Sequence, residues 1–92
     1  MIYDLAQEGL TMLNLERKTN LSKEEVKKRL RRFFGEEGLG LELKEETPHC
    51  LSYGGAGGYV TANICSEKGK IRLDLVTQEW EYQVKKFAAS LP

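Results

Sequence analysis

The clearest helical pattern in the chain follows a capping signal. Ser22 and Glu25 have the spacing of a capping box, in which each side chain satisfies a free backbone N–H at a helix start. Gly35 stands where a residue in the left-handed conformation would end the helix. The spacing therefore predicts a helix over residues 23–34. Its apolar stripe consists of Val26, Leu30, Phe33 and Phe34.

After this helix the apolar residues recur at every second position, which is typical of half-buried strands. The joints between these segments contain turn residues, namely Pro48, the glycine run 54–58 and Gly69, for which we expect a positive φ. Such short joints connect antiparallel neighbours. Four strands are predicted, with apolar positions Leu39, Leu41 and Leu43, then Leu51 and Tyr53, then Val60, Ala62 and Ile64, and finally Ile71, Leu73 and Leu75.

A second helical stripe near the end of the chain predicts a terminal helix over residues 78–91. Thr77 is the expected cap, because a threonine oxygen can accept from the free N–H groups of the first turn. The stripe consists of Trp80, Val84, Phe87, Ala88 and Leu91.

Residues 1–18 fit two descriptions. Apolar residues from Ile2 onward suit a helix, although Gly9 would interrupt it, whereas Leu13 and Leu15 alternate with polar residues as in a strand. We favour a short lead followed by a strand near residues 10–17.

These elements predict one α+β domain over residues 1–92, a length that supports one modest core. A four- or five-stranded antiparallel sheet would carry both helices on one face, and the terminal helix would follow the last strand. The residues expected to build that face are Leu41, Leu51, Ile64 and Leu73.

The glycine run does not match a phosphate-binding loop. A dinucleotide fingerprint needs glycines at relative positions one, three and six, but counted from Gly55 the sixth position is Val60. No lysine followed by Ser or Thr closes the run as in a P-loop. The next residues form a predicted strand, not the helix whose N-terminus would hold a phosphate. We interpret the run as a hairpin turn.

Two turn positions keep the apolar faces of the flanking strands aligned. A turn at Gly57 and Gly58 would place Cys50 opposite Cys65. A turn at Ala56 and Gly57 would separate the two cysteines.

The thiols are the candidate chemistry. Cys50 and Cys65 are the only cysteines, too few for a zinc site by themselves, so we expect neither a metal nor a cofactor. His49 and Cys50 are successive strand residues whose side chains diverge, which disfavours a Cys–His dyad. Because no acid, base and nucleophile converge, the sequence favours a noncatalytic binding or self-association module. A redox or metal-binding protein that uses both thiols is the alternative.

Charge and hydropathy argue against two classes of partner, nucleic acids and the membrane interior. Lys and Arg number 14 and Asp and Glu number 14, so no net field attracts nucleic acid. The run KKRLRR is followed by several glutamates and lacks a base-stacking motif, so we expect no nucleic-acid partner. No apolar run reaches 18 residues and no signal peptide is evident, so we expect a cytoplasmic protein without membrane insertion.

The solvent side of the last two strands is the candidate interface. Pairing Ile64 with Ile71 would place Asn63 beside Arg72. A chain this small gains core by pairing with a copy of itself, so we expect a homodimer that covers this face or the adjoining strand edge. The predicted face consists of Tyr59, Thr61, Asn63, Cys65, Arg72, Asp74 and Val76.

The order of elements over residues 10–92 resembles the helix-grip superfamily, which includes START-like lipid carriers and polyketide cyclases. The order runs from a strand through the helix in NLSKEEVKKRLRRFF and consecutive antiparallel strands to RLDLVTQEWEYQVKKFAASL. In that superfamily a curved sheet wraps a long terminal helix and encloses an apolar ligand. The resemblance therefore implies an apolar small molecule as ligand, although this chain is shorter and no site residue carries over.

Overall fold

Five strands and two helices make up residues 12–92, the part of the chain that the computed structural model describes. Neighbouring strands are all antiparallel in one sheet of order β1-β5-β4-β3-β2. The predicted α+β fold, with its terminal helix after the last strand, is confirmed. The elements are β1 (Leu13–Thr19), α1 (Lys23–Phe34), β2 (Glu42–Thr47), β3 (Cys50–Gly55), β4 (Gly58–Glu67), β5 (Lys70–Gln78) and α2 (Glu81–Ser90).

The first strand is present, but it begins and ends later than the predicted 10–17. β1 pairs with β5 from Leu13↔Thr77 to Thr19↔Ile71, and the end of β1 also lies beside the last residue, Pro92. Thr19 donates from its hydroxyl to the carbonyl of Pro92 at 2.9 Å. The short lead predicted before this strand lies outside the described residues.

Both helices pack on one face of the sheet and form a single core with it. The alternation of buried and exposed residues along β3, β4 and β5 shows why, since every second side chain points at the helices. Burying each large apolar side chain contributes roughly 1.5–3 kcal/mol. The four residues predicted to build this face are all buried: Leu41, Leu51, Ile64 and Leu73.

The first helix has the predicted bounds, but its two ends differ from the prediction in detail. Ser22 accepts from the Glu25 N–H at 3.1 Å, while the Glu25 carboxylate pairs with Arg29 at 3.1 Å and does not complete the box. Gly35 is extended, with φ −82°, so the predicted left-handed cap is wrong. Glycine is required there because a Cβ would lie 2.5 Å from the carbonyl oxygen of Arg31.

The second helix begins three residues later than predicted because β5 continues through Gln78. Thr77 is therefore not a cap. It is fully buried in β5, and its hydroxyl donates to the carbonyl of Tyr59 at 2.7 Å. Glu79 has φ +81° where the chain turns into the helix. Trp80 occupies the cap position, and its indole N–H donates to Gly55 at 3.2 Å.

The strand predicted from the alternation of Leu39, Leu41 and Leu43 is wrong in position, because the strand in this region, β2, begins only at Glu42. Leu41 is buried, but Leu39 is 37% and Leu43 is 43% exposed, because Gly40 turns the chain with φ +77° before the strand begins. β2 is exposed along its whole length and is interrupted by a register shift between Leu43 and Glu45. Charges and a bulge are typical protection for an edge strand.

The glycine run forms a two-residue turn at Ala56 and Gly57, with φ of 53° and 83°. Of the two turn positions compatible with the sequence, the structure has the one at Ala56 and Gly57. Gly58 instead lies in β4, where a Cβ would meet the carbonyl oxygen of Gln78 at 2.2 Å. The glycine that a turn could have used is thus required for close contact with β5.

The last hairpin also differs in register. Lys68 and Gly69 form its turn, and the predicted positive φ of Gly69 is confirmed at 81°. Ile64 faces Leu73, so the predicted pairing with Ile71 is wrong by two residues. A shift of two keeps every side chain on its own face, because side chains alternate with a period of two.

Candidate functional site

The face of the sheet that points away from the helices collects all the residues predicted as an interface. We call it the outer face. Neither α1 nor α2 packs on it, since the residues that both helices bury belong to the core on the other side. Its members on β1, β3, β4 and β5 are Asn14, Glu16, Lys18, Cys50, Ser52, Tyr59, Thr61, Asn63, Cys65, Glu67, Lys70, Arg72, Asp74 and Val76.

Arg72 lies at the centre of the charged half of this face. Its guanidinium donates to Asp74 at 3.3 Å, to Glu67 at 3.4 Å and to the Cys65 sulfur at 3.9 Å. Asp74 first and Glu67 second raise the pKa of Arg72 further above its usual range. Lys18 of β1, which faces Arg72, approaches Glu67 of β4 at 3.9 Å across β5. Exposed pairs of this kind contribute little stability, but they neutralise the cation within its own face.

The other half of the outer face is uncharged. The hydroxyls of Ser52 and Thr61 lie 3.1 Å apart, and Thr61 faces Val76 across the strand pair. Tyr59 donates its hydroxyl to the sulfur of Met12 at 2.6 Å. Small polar groups that satisfy one another leave this half free of unbalanced charge.

Both cysteines lie on the outer face, but they do not face each other. Cys50 is opposite Asn63, and Cys65 is opposite Arg72. This register makes the thiols diagonal neighbours, whose Cβ atoms are typically about 7–8 Å apart, against about 4 Å in a disulfide. Both are free thiols. Of the two arrangements left open by the sequence, the structure has the one that separates the cysteines.

The protonation of Cys50 does not suit a nucleophile. Burial first, and the charge of Glu45 second, raise its pKa. Reactive cysteines in proteins are those whose pKa is lowered by nearby positive charge or a helix N-terminus. Cys50 at neutral pH therefore stays in the thiol form.

His49 has a structural environment in the turn between β2 and β3. Its Nδ1 lies 3.0 Å from the ammonium nitrogen of Lys23, and its carbonyl accepts from Ile64 at 2.8 Å. These contacts tie the turn to α1 and to β4. Within residues 12–92, no three His, Cys, Asp or Glu side chains come close enough to hold a metal.

The space between the sheet and the helices is filled with side chains. Phe34, Phe87, Leu51, Ile64 and Leu73 are each less than 2% exposed. Phe34 and Phe87 lie 5.5 Å apart between ring centres, within the contact range of aromatic pairs. This is the region in which the helix-grip resemblance implies an apolar ligand, and here it is occupied by the protein's own core.

A second surface feature, a groove of about 660 Å³, lies between the solvent sides of α1 and α2. Sequence reasoning assigned Phe33 to the core and the basic residues to a solvated helix face. The sequence predicts the apolar stripe of each helix, but it does not predict that the two helices lie side by side and form a groove. The residues that matter for its chemistry are Arg29, Arg32, Phe33, Leu39, Tyr82 and Lys86.

Comparison with known proteins adds no relative from which chemistry could be carried over. Searches of protein-family models and of curated proteins find no match to the chain. In the described part of the chain, neither helix has the length and apolar composition needed to span a bilayer.

Proposed function

We propose that the chain is a noncatalytic self-association module in which the outer face packs against the outer face of a second copy. One observation carries the proposal: within residues 12–92 the helices cover only one face of the sheet, and the other face is charge-balanced over β1, β3, β4 and β5. An antiparallel sheet can leave such a face in water, so balance alone is compatible with solvent. A small chain, however, gains additional buried surface by pairing.

The charges of the outer face suit contact with a copy of itself. In a two-fold dimer the same patch is present on both subunits, so an unbalanced charge on one copy would face a charge of the same sign on the other and repel it. On β1, β3, β4 and β5 the face has three basic residues, Lys18, Lys70 and Arg72, and three acidic residues, Glu16, Glu67 and Asp74. The edge strand β2 adds Glu45, which faces Ser52. Contact between β1, β3, β4 and β5 of two copies therefore carries no net repulsion.

The size of the face sets the expected strength. Four strands spaced about 4.8 Å apart and about seven residues long at about 3.3 Å per residue cover about 450 Å². Two copies would bury about 900 Å², below the range of about 1,200–2,000 Å² that is usual for stable complexes. We therefore expect a weak dimer that forms at tens of micromolar.

The test is sedimentation velocity on the wild type and on two matched variants. Thr61→Arg puts a charge at the centre of the outer face, where burial of an unpaired charge is costly. Ser66→Arg adds the same charge to the same strand at an exposed position on the opposite side. We expect Thr61→Arg to weaken association by about tenfold or more and Ser66→Arg to leave it unchanged. A wild type that stays monomeric at hundreds of micromolar, or an intact Thr61→Arg dimer, contradicts the proposal.

Native mass spectrometry distinguishes the other predicted functions from self-association. A copurified apolar ligand would support the small-molecule function, and a bound metal or a Cys50–Cys65 disulfide would support the thiol function. Subunit number is read in the same spectrum. The relation to the helix-grip superfamily stays a prediction.

A further inference from the structure

The groove between α1 and α2 combines positive charge with exposed aromatic surface. α1 carries six basic and two acidic residues, and α2 carries two basic and one acidic, so the two helices together have a net charge of five. The whole chain has none. The positive charge is thus concentrated on the two helices.

The basic residues on the two sides of α1 have different partners. On the side toward β2, Glu46 neutralises two of them, accepting from Arg31 and lying 3.5 Å from Lys27. In the groove, Arg29 is paired with Glu25, but neither Arg32 nor Lys86 has an acidic partner among residues 12–92. Two cations, one from each helix, are therefore available on the groove walls.

The floor and mouth of the groove are apolar. Phe33 is half-buried, with its ring 5.5 Å from that of Phe87. Tyr82 is 71% and Leu39 is 37% exposed at the mouth. Aromatic side chains beside Arg are the composition that dominates binding energy at protein interfaces. The volume is also within the range of about 300–1,000 Å³ for specific ligand sites.

We infer that this groove binds an acidic amphipathic segment of a partner protein, with apolar side chains on Phe33 and Tyr82 and carboxylates against Arg32 and Lys86. The two features together select this partner. A nucleic-acid backbone would use the cations but not the apolar floor, and a neutral peptide would leave the cations without ligands. An amphipathic helix that places its apolar face in a groove uses both. The inference is independent of self-association, because the groove and the outer face lie on opposite sides of the sheet.

The experiment measures fluorescence anisotropy of a labelled peptide of about four helical turns titrated with the full chain. The probe has Leu and Phe at helical spacing and Glu at its exposed positions. A second probe has Lys in place of every Glu. We expect saturable binding of the acidic probe. Added salt should weaken this binding, because the Debye length falls from about 10 Å at 0.1 M to about 3 Å at 1 M. The Lys probe should not bind.

Variants locate the site. Arg32→Glu and Lys86→Glu are changes at exposed helix positions, so both proteins are expected to fold, which their thermal melting curves check. Each should weaken the acidic probe by about tenfold. Tyr82→Ala tests the apolar contribution in the same way. Lys68→Glu makes the same charge change in the exposed turn between β4 and β5, outside the groove, and should leave binding within about twofold.

Several results would overturn the inference. Equal binding of the Glu and Lys probes would mean non-specific apolar contact, and equal loss in Arg32→Glu and Lys68→Glu would mean a general charge effect. Binding to anionic vesicles or to a fatty acid, with none to the acidic peptide, would assign the groove to a lipid. Loss of self-association in Arg32→Glu would make a second copy the occupant.

Discussion

Replacing Gly58 by alanine is expected to destabilise the protein more than replacing Gly57, although only Gly57 has a positive φ. At Gly58 a Cβ would lie 2.2 Å from the carbonyl oxygen of Gln78 and 2.5 Å from the Cβ of Glu79. At Gly57, with φ +83°, no atom lies within 4 Å of the added Cβ. The two substitutions therefore separate steric contact from backbone conformation.

The magnitudes follow from these two causes. An L-residue in the left-handed region costs about 1–2 kcal/mol, of which reduced entropy of the unfolded chain returns about 0.4–1 kcal/mol. Gly57→Ala should therefore cost about 1 kcal/mol. Overpacking costs about 1–3 kcal/mol, and Gly58→Ala belongs at the upper end because its neighbour is backbone that cannot rotate away. Ala56 already has φ +53°, so Ala56→Gly should stabilise the protein by up to about 1 kcal/mol.

Urea unfolding followed by the fluorescence of Trp80 measures all three variants. Trp80 is the only tryptophan, and its hydrogen bond to Gly55 makes it sensitive to this hairpin. With an m-value of about 1 kcal/mol/M, each kcal/mol shifts the midpoint by about 1 M. Circular dichroism provides a second probe, because a change beside Trp80 alters its emission directly. If Gly57→Ala is the more damaging substitution, or if Ala56→Gly destabilises, the assignment of roles in this turn is wrong.

Three further substitutions test local contacts. Thr77→Val should cost about 1 kcal/mol in urea unfolding, because the buried hydrogen bond from its hydroxyl to the Tyr59 carbonyl is lost, while Thr77→Ser, which keeps the hydroxyl, should cost less. Ser22→Ala should cost about 1 kcal/mol by the same measurement, and Ser22→Asp should restore most of it; equal stability of all three proteins would exclude a capping role. In a Cys65→Ser background, iodoacetamide should label Cys50 more slowly at pH 7 than a free thiol, and the rate should still rise above about pH 8.5, because its raised pKa keeps the thiolate scarce. Faster labelling than a free thiol would contradict that shift.

The register of the two hairpins illustrates where pattern reasoning stops. Period-two alternation assigns each residue to a face, but registers that differ by two residues are equivalent by this criterion. Contacts between neighbouring strands determine which of these registers forms. Gly58 must lie beside the backbone of Gln78, so the turn could only use Ala56 and Gly57. Nothing near Gly58 in the sequence indicates that Gln78 will be its neighbour.

The helix ends show the same limit. The capping signal at Ser22 is local, and it correctly predicted where α1 begins. Thr77 has an equally good local signal for α2, but its burial in β5 and its bond to Tyr59 outweigh the cap. A local preference worth about 1 kcal/mol gives way when a buried strand position competes for the same residue.

Sequence by itself determined the α+β class, most of the core residues and the membership of the outer face on β4 and β5, because each follows from periodicity within one segment. Only the tertiary structure decided which residues are neighbours. It separated Cys50 from Cys65, placed Arg72 among two carboxylates, and brought Arg32 of one helix and Lys86 of the other to the same groove. The physical reason is that these arrangements depend on packing between segments far apart in the chain, and no local pattern records it.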